Sequence, residues 1–98
     1  MSRLLKDEEI DRQVDGLADW SRAESDGDTA ITATFQLADF AAALAFVNAV
    51  GRLAEAAQHH PDIDIRWNQV TLVLSTHSEG GLTQADIELA HQISDESR

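Results

Sequence analysis

Apolar residues recur along this chain with two different periods, and the switches between them mark its elements. Ile10, Val14 and Leu17 fall at i, i+4 and i+7, one stripe of a helix that Asp7 can cap. Gly16 stands where a left-handed residue commonly ends a helix. Trp20 then opens a short strand through Ala23. Ser25-Asp26-Gly27-Asp28 is a turn by composition. Beyond it Ile31, Ala33, Phe35 and Leu37 alternate with Thr32, Thr34 and Gln36, a strand with one wet face. The two strands read as a hairpin.

Asp39 caps a long central helix. Phe40, Leu44, Val47, Val50 and Ala54 form its predicted apolar stripe, and the surrounding alanines favour the helix. It must stop by His60, because a residue before proline is pushed out of the α region. Ile63, Ile65 and Trp67 alternate with Asp64 and Arg66 as a third strand. Asn68-Gln69 is the expected turn, and Val70 to Thr76 the fourth strand, with His77 opposite the Val70, Leu72 and Leu74 face. Gly80-Gly81 breaks the chain. Thr83 caps the last helix with Asp86 at the capping-box position, while Leu82 and Ile87 are spaced for a hydrophobic staple. Ile87, Ala90 and Ile93 share one side, and residues 96–98 are expected to fray. The order α-β-β-α-β-β-α predicts an α+β, two-layer sandwich: a four-stranded antiparallel sheet with three helices packed on one face.

Length changes this picture little. Ninety-eight residues make one domain, residues 1–98, with a single small core. The absence of cysteine removes disulfides, thiolate catalysis and Cys-containing zinc sites. Charge excludes more. A net charge of −11 with seven scattered Lys and Arg argues against nucleic acid, whose phosphates require a basic patch. The first eight residues carry no leader-like apolar run, and the apolar stretch Phe40–Val47 is too short to span a membrane. The expectation is a cytoplasmic protein that contacts neither nucleic acid nor membrane.

Candidate chemistry lies in the histidines. Three of the four fall in two short motifs, Glu55-x-x-x-His59-His60-Pro61 and Thr76-His77, each at the end of a predicted element. An imidazole with its ordinary pKa of about 6.5 can give or take a proton near neutral pH. Glu55 and His59, four apart, share a face of the last helical turn, so Glu55 can orient His59. A helix-end histidine can equally serve as a cap against the dipole, and Asp86 is already explained by its capping box. Histidines with a carboxylate are acceptable zinc or iron ligands, but no His-x-His or His-Glu-x-x-His spacing is present and adjacent histidines rarely chelate one ion; no nucleophile elbow surrounds Ser75 or Thr76, and Gly80-Gly81 lacks the rest of a phosphate loop. His91 has no motif and reads as a surface residue. Both tryptophans are expected in the core, although Trp20 is also placed to stack on a flat heteroaromatic ligand.

Taken in order, Glu55-x-x-x-His59-His60-Pro61, Trp67, Val70, Leu74-Ser75-Thr76-His77, Gly81-Leu82-Thr83, Asp86 and Leu89-Ala90 resemble the pterin-4a-carbinolamine dehydratase family across nearly the whole chain. Asp62-Ile63-Asp64-Ile65 departs from members that carry an aromatic after the proline. The resemblance implies an enzyme that dehydrates a 4a-hydroxy-tetrahydropterin to the quinonoid dihydropterin, recycling tetrahydrobiopterin for aromatic amino acid hydroxylases without metal or organic cofactor. By the family's motif His59 and His77 are the proton donors and acceptors, which is acid and which base being left open. His60 holds the pterin, Glu55 orients His59, and Asp86 supports the His77 side. Gln58, His59 and His60 with Ser75, Thr76, His77 and Ser78 line the ring, and Trp20 joins them. The resemblance also implies a homodimer or homotetramer. Two other roles use the same fold: a pterin-binding or transcription-coactivator-type interaction protein, or a part in molybdopterin metabolism.

Overall fold

A computed structural model describes residues 3–98; the first two residues of the N-terminal stretch read above for a leader lie outside the described residues. The chain runs α1 (Asp7–Asp15), β1 (Ser21–Ser25), β2 (Asp28–Gln36), α2 (Phe40–Ala57), β3 (Asp62–Arg66), β4 (Gln69–Leu74), a short 3-10 turn (His77–Glu79) and α3 (Gln84–Glu96). This is the predicted order. The four strands form one antiparallel sheet in the order β1-β2-β4-β3. Ile31, Ala33 and Phe35 of β2 stand opposite Leu74, Leu72 and Val70 of β4, so both strands turn their apolar residues to one face. That face is buried under Ile10, Ala43, Phe46, Val50, Ala54, Ile87, Ala90 and Ile93 from the three helices. The opposite face carries Thr32, Thr34, Thr71 and Val73, open or half-open.

Local chemistry explains most boundaries. Asp26 and Gly27 both adopt positive φ, +53° and +84°, the two-residue turn whose twist suits a hairpin. Asp39 Oδ1 accepts from the Ala42 N–H at 2.8 Å and starts α2. Leu82 and Ile87 are both buried at the entry of α3, as their spacing predicts.

Several expectations fail for identifiable reasons. The cap of α1 is Lys6, not Asp7; Glu9 reaches back to accept from the Lys6 N–H at 2.9 Å. Gly16 ends α1 at φ −83°, so no left-handed residue is used there. The buried face of α2 is Ala43, Phe46, Ala49, Val50 and Ala54, while Phe40 and Leu44 are exposed. This helix is apolar nearly all round, and periodicity then cannot say which side meets the sheet. By length and composition α2 could cross a membrane, yet it lies on the sheet as a core helix. The β3–β4 turn is Trp67-Asn68, because Asn68 Nδ2 donates to the Leu37 carbonyl at 3.0 Å and ties the turn to the end of β2. Trp67 is therefore 68% exposed at φ +52°, outside the core. The last residues do not fray: Arg98 donates to the Ser94 carbonyl at 2.7 Å and approaches Asp19 at 3.7 Å.

The N-terminal approach is tied by charge. Arg3 and Glu9 form a two-pronged pair at 3.1 and 2.9 Å. The Arg3 hydrogen bond, then the Lys6 N–H, holds the Glu9 carboxyl at about 2. A carboxyl depressed in the folded state stabilises at neutral pH, and that contribution disappears as pH falls from about 4.5 through about 2. Glu9→Gln should therefore lower Tm slightly at pH 7 and match the parent near pH 2, as thermal melts at the two pH values would show.

Candidate active site

The site is built where three elements end. Helix α2 stops at Ala57, three residues before the proline would force it to. Gln58 adopts a left-handed conformation (φ +52°, ψ +42°). Its N–H donates to the Glu55 carbonyl at 3.2 Å and the His59 N–H to the Ala54 carbonyl at 3.0 Å, the paired bonds of a Schellman ending. A side chain in this conformation costs roughly 1–2 kcal/mol, which the Gln58 Nε2 bond to the Glu55 carbonyl at 2.8 Å partly offsets. The turn carries His59 off the helix axis. Pro61 then prevents any return to helix before β3.

The His59 ring meets α3. Its Nε2 hydrogen-bonds Asp86 Oδ1, and the carboxylate is wholly buried while the imidazole is 15% exposed. Asp86 Oδ2 accepts from the Thr83 N–H at 2.9 Å and from the Thr76 hydroxyl at 2.7 Å. Thr76 also bonds the Thr83 hydroxyl at 2.8 Å. The end of β4 thus meets the start of α3 and the end of α2 at one carboxylate. His77 follows Thr76 directly and opens the exposed 3-10 turn, which Gly80 closes at φ +79°. Such a conformation favours glycine.

His60 is exposed, and its Nε2 bonds Glu55 Oε2 at 2.5 Å. One expected pairing therefore changes. Glu55 orients His60 rather than His59, because the left-handed turn takes His59 away from the last turn of α2. Asp86 holds His59 and also, through the Thr76 hydroxyl, supports the His77 side. Gln58 and Ser78 are exposed beside these groups. Ser75 is turned inward; its hydroxyl donates to the Thr29 carbonyl at 3.1 Å, so any contact it makes with a ligand falls to its backbone.

Trp20 does not join this cluster. It is buried, stands edge-on to Phe35 with centroids 6.2 Å apart, and donates its indole N–H to Ser94 Oγ at 3.0 Å. Ser94 is eight residues along α3 from Asp86, about 12 Å at the helical rise. Core burial prevails because an indole of this size covers a large apolar area and still finds a partner for its N–H. Thr83 is the functional neighbour that sequence reasoning missed: read as a cap alone, it also contacts Thr76. A cavity of about 220 Å³ opens at the far end of α3, lined by Leu37, Ala45, Phe46, Ala49, Glu96 and Ser97. No histidine lines it, and Glu96 is its one titratable side chain.

A buried carboxylate holding one imidazole, a second imidazole–carboxylate pair and a third, exposed histidine are groups able to give and take protons, carried on an open α+β sheet. Comparison with known proteins gives the family. The profile described as pterin 4 alpha carbinolamine dehydratase matches residues 3–96, and the chain belongs to that family. A provisionally named pterin-4-alpha-carbinolamine dehydratase of Roseiflexus castenholzii is 54% identical over 93 residues, covering 95% of this chain and 96% of its own. One from Nocardia farcinica is 52% identical over 97 residues, covering 99% and 98%. The crystal structure of a transcriptional coactivator/pterin dehydratase from Brucella melitensis superposes with a TM-score of 0.89 at 32% identity, covering 98% of this chain and all of that one. A pterin dehydratase-like protein identified as a RuBisCO assembly factor in the alpha-carboxysome shares the fold, with a TM-score of 0.67 at 20% identity, covering 81% and 89%.

Trp20→Phe separates core from site. The change leaves a buried Ser94 hydroxyl without its donor and should cost about 1–3 kcal/mol by urea denaturation. Pterin affinity, read by titration calorimetry, should stay within twofold; a tenfold loss would return Trp20 to the site.

Proposed function

We propose that the protein converts a 4a-hydroxy-tetrahydropterin to the quinonoid dihydropterin and water. One observation carries the reading: His59, half-buried, is held through Nε2 by a wholly buried carboxylate, beside exposed His60 and His77. In the reaction the C4a–O bond breaks and the hydroxyl leaves with an added proton. The N5–H bond breaks, and its electron pair becomes the second bond of C4a=N5. One proton is given and one is taken, so the net loss is a single water. Each transfer is a general acid–base step worth about 10²- to 10⁴-fold when well placed. His59 and His77 share these two transfers. His60, paired with Glu55, holds the pterin, and the backbone of 58–60 and 75–78 borders the ring. Recycling of tetrahydrobiopterin for aromatic amino acid hydroxylases, in the cytoplasm, is the role that follows.

The test is stopped-flow kinetics with enzymatically generated 4a-carbinolamine, with and without EDTA. Acceleration that EDTA leaves intact is expected. Replacing both His59 and His77 with alanine should remove the acceleration and lower Tm, because Asp86 loses a donor, while circular dichroism well below the transition still reports a folded protein. A double variant with parental rates would overturn the assignment of roles.

A second reading, an interaction protein, draws on the surface. Phe40 and Leu44 on α2, Ile63 and Ile65 on the edge strand β3, and Trp67 are all exposed. Sequence alone suggested no such patch. Large exposed apolar groups beside an unpaired strand edge suit a protein partner or a second copy of the chain. Light scattering after gel filtration should give a dimer or tetramer, and Ile65→Lys should shift the mass downward. A monomeric parent would leave the surface to a different protein.

A further inference from the structure

We infer that Thr76 is a positioning residue for His59, acting through Asp86, so that its hydroxyl helps decide which imidazole nitrogen is presented to the substrate. The inference rests on the reading of His59 as a proton-transfer group and adds a residue whose effect is exerted at one remove. The available protons orient the network. As a carboxylate Asp86 has none to give. His59 Nε2 faces Oδ1, so Nε2 must carry its hydrogen, and in neutral His59 the lone pair is left on Nδ1. Thr76 Oγ1 faces Oδ2 at 2.7 Å and has a single hydrogen, which must point at the carboxylate. The contact between the two hydroxyls at 2.8 Å is then donated by Thr83 to Thr76. The chain of donors runs in one direction, from Thr83 through Thr76 to Asp86, and His59 enters from the other side.

The same residue is fixed along its backbone. The Thr76 N–H donates to the Gly81 carbonyl at 2.7 Å, and the Thr76 carbonyl accepts from the Glu79 and Gly80 N–H groups at 2.9 and 3.0 Å. Ser75 beside it is anchored to Thr29. Thr83 and Asp86 are wholly buried and Thr76 is partly buried, so Asp86 depends on these few protein donors. Valine at position 76 would keep the bulk of the side chain and remove one of the three donors that hold Asp86. A threonine serving only as part of the pterin wall would change KM; a positioning threonine changes kcat and the state of the His59 ring.

The experiment compares the parent, Thr76→Val and Thr76→Ser, using stopped-flow kinetics and imidazole proton spectra of uniformly ¹⁵N-labelled protein. In the parent the His59 Nε2–H should give a slowly exchanging downfield resonance. In Thr76→Val that resonance should disappear into solvent exchange, and kcat should fall about tenfold with KM within twofold, the scale of one lost hydrogen bond to a charged group. Thr76→Ser should restore both. The inference is overturned by a valine variant that keeps the protected resonance, by a rise in KM at constant kcat, or by a serine variant that restores neither readout. Thr76→Ala replaces the valine variant if the latter does not fold. If the parent accelerates no pterin dehydration, the proposed function fails, and the spectra still decide the Thr76 inference.

Discussion

A buried carboxylate must be matched by donors, because an unpaired charge in a low-dielectric interior is far costlier than any single packing defect. Asp86 meets this constraint with one donor from each of three separate places: the imidazole after α2, the hydroxyl after β4 and the backbone N–H that begins α3. The carboxylate therefore acts as a joint. The three ends must converge for it to be buried at all, so the geometry of the site and the closure of the fold are one condition. This is also why the His59 imidazole is placed with little freedom although it lies near the surface. Its ring is held from the inside.

The rest of the architecture delivers those three ends. Register between β2 and β4 puts Leu74 opposite Ile31 and so sets where β4 finishes and Thr76 begins. The Leu82–Ile87 pair anchors the entry of α3 and with it the height of Asp86. The left-handed Gln58 takes His59 out of the helical path, a backbone strain of the kind that collects at functional sites and is maintained by surrounding structure. Outward from Asp86 the groups become progressively wetter, through His59 to His60 and His77. A ligand approaching from solvent meets imidazoles of different exposure: His59 backed by the buried Asp86, and at the surface His60, paired with Glu55, and His77.

The fold alone does not select this chemistry. A relative at 20% identity with the same architecture is identified as an assembly factor, and folds host unrelated functions. The present chain combines family membership over residues 3–96 with an imidazole held by a wholly buried carboxylate. The apolar residues open on α2, on β3 and at Trp67 lie outside that pair, so one domain can carry a reaction at one place and a partner at another.

Period and punctuation in the sequence determined the element order, the hairpin at Asp26-Gly27, the cap at Asp39 and the staple at the start of α3. Each of these is a local matter: alternation, a positive-φ turn and a capping oxygen act within a few residues. Tertiary structure decided what local rules leave degenerate. An alanine-rich helix with apolar residues all round has no preferred face until a sheet covers one, so Phe40 and Leu44 turned outward. Trp67 left the core because Asn68, 31 residues from Leu37, claimed the turn. Partner choice among the carboxylates was decided in the same way. Spacing placed Glu55 beside His59, but a left-handed residue intervened, and Asp86, 27 residues away, took the imidazole while Glu55 took His60. Pairings across such separations depend on how the chain returns to itself, and that is settled by the packing of the whole domain rather than by any stretch of its sequence.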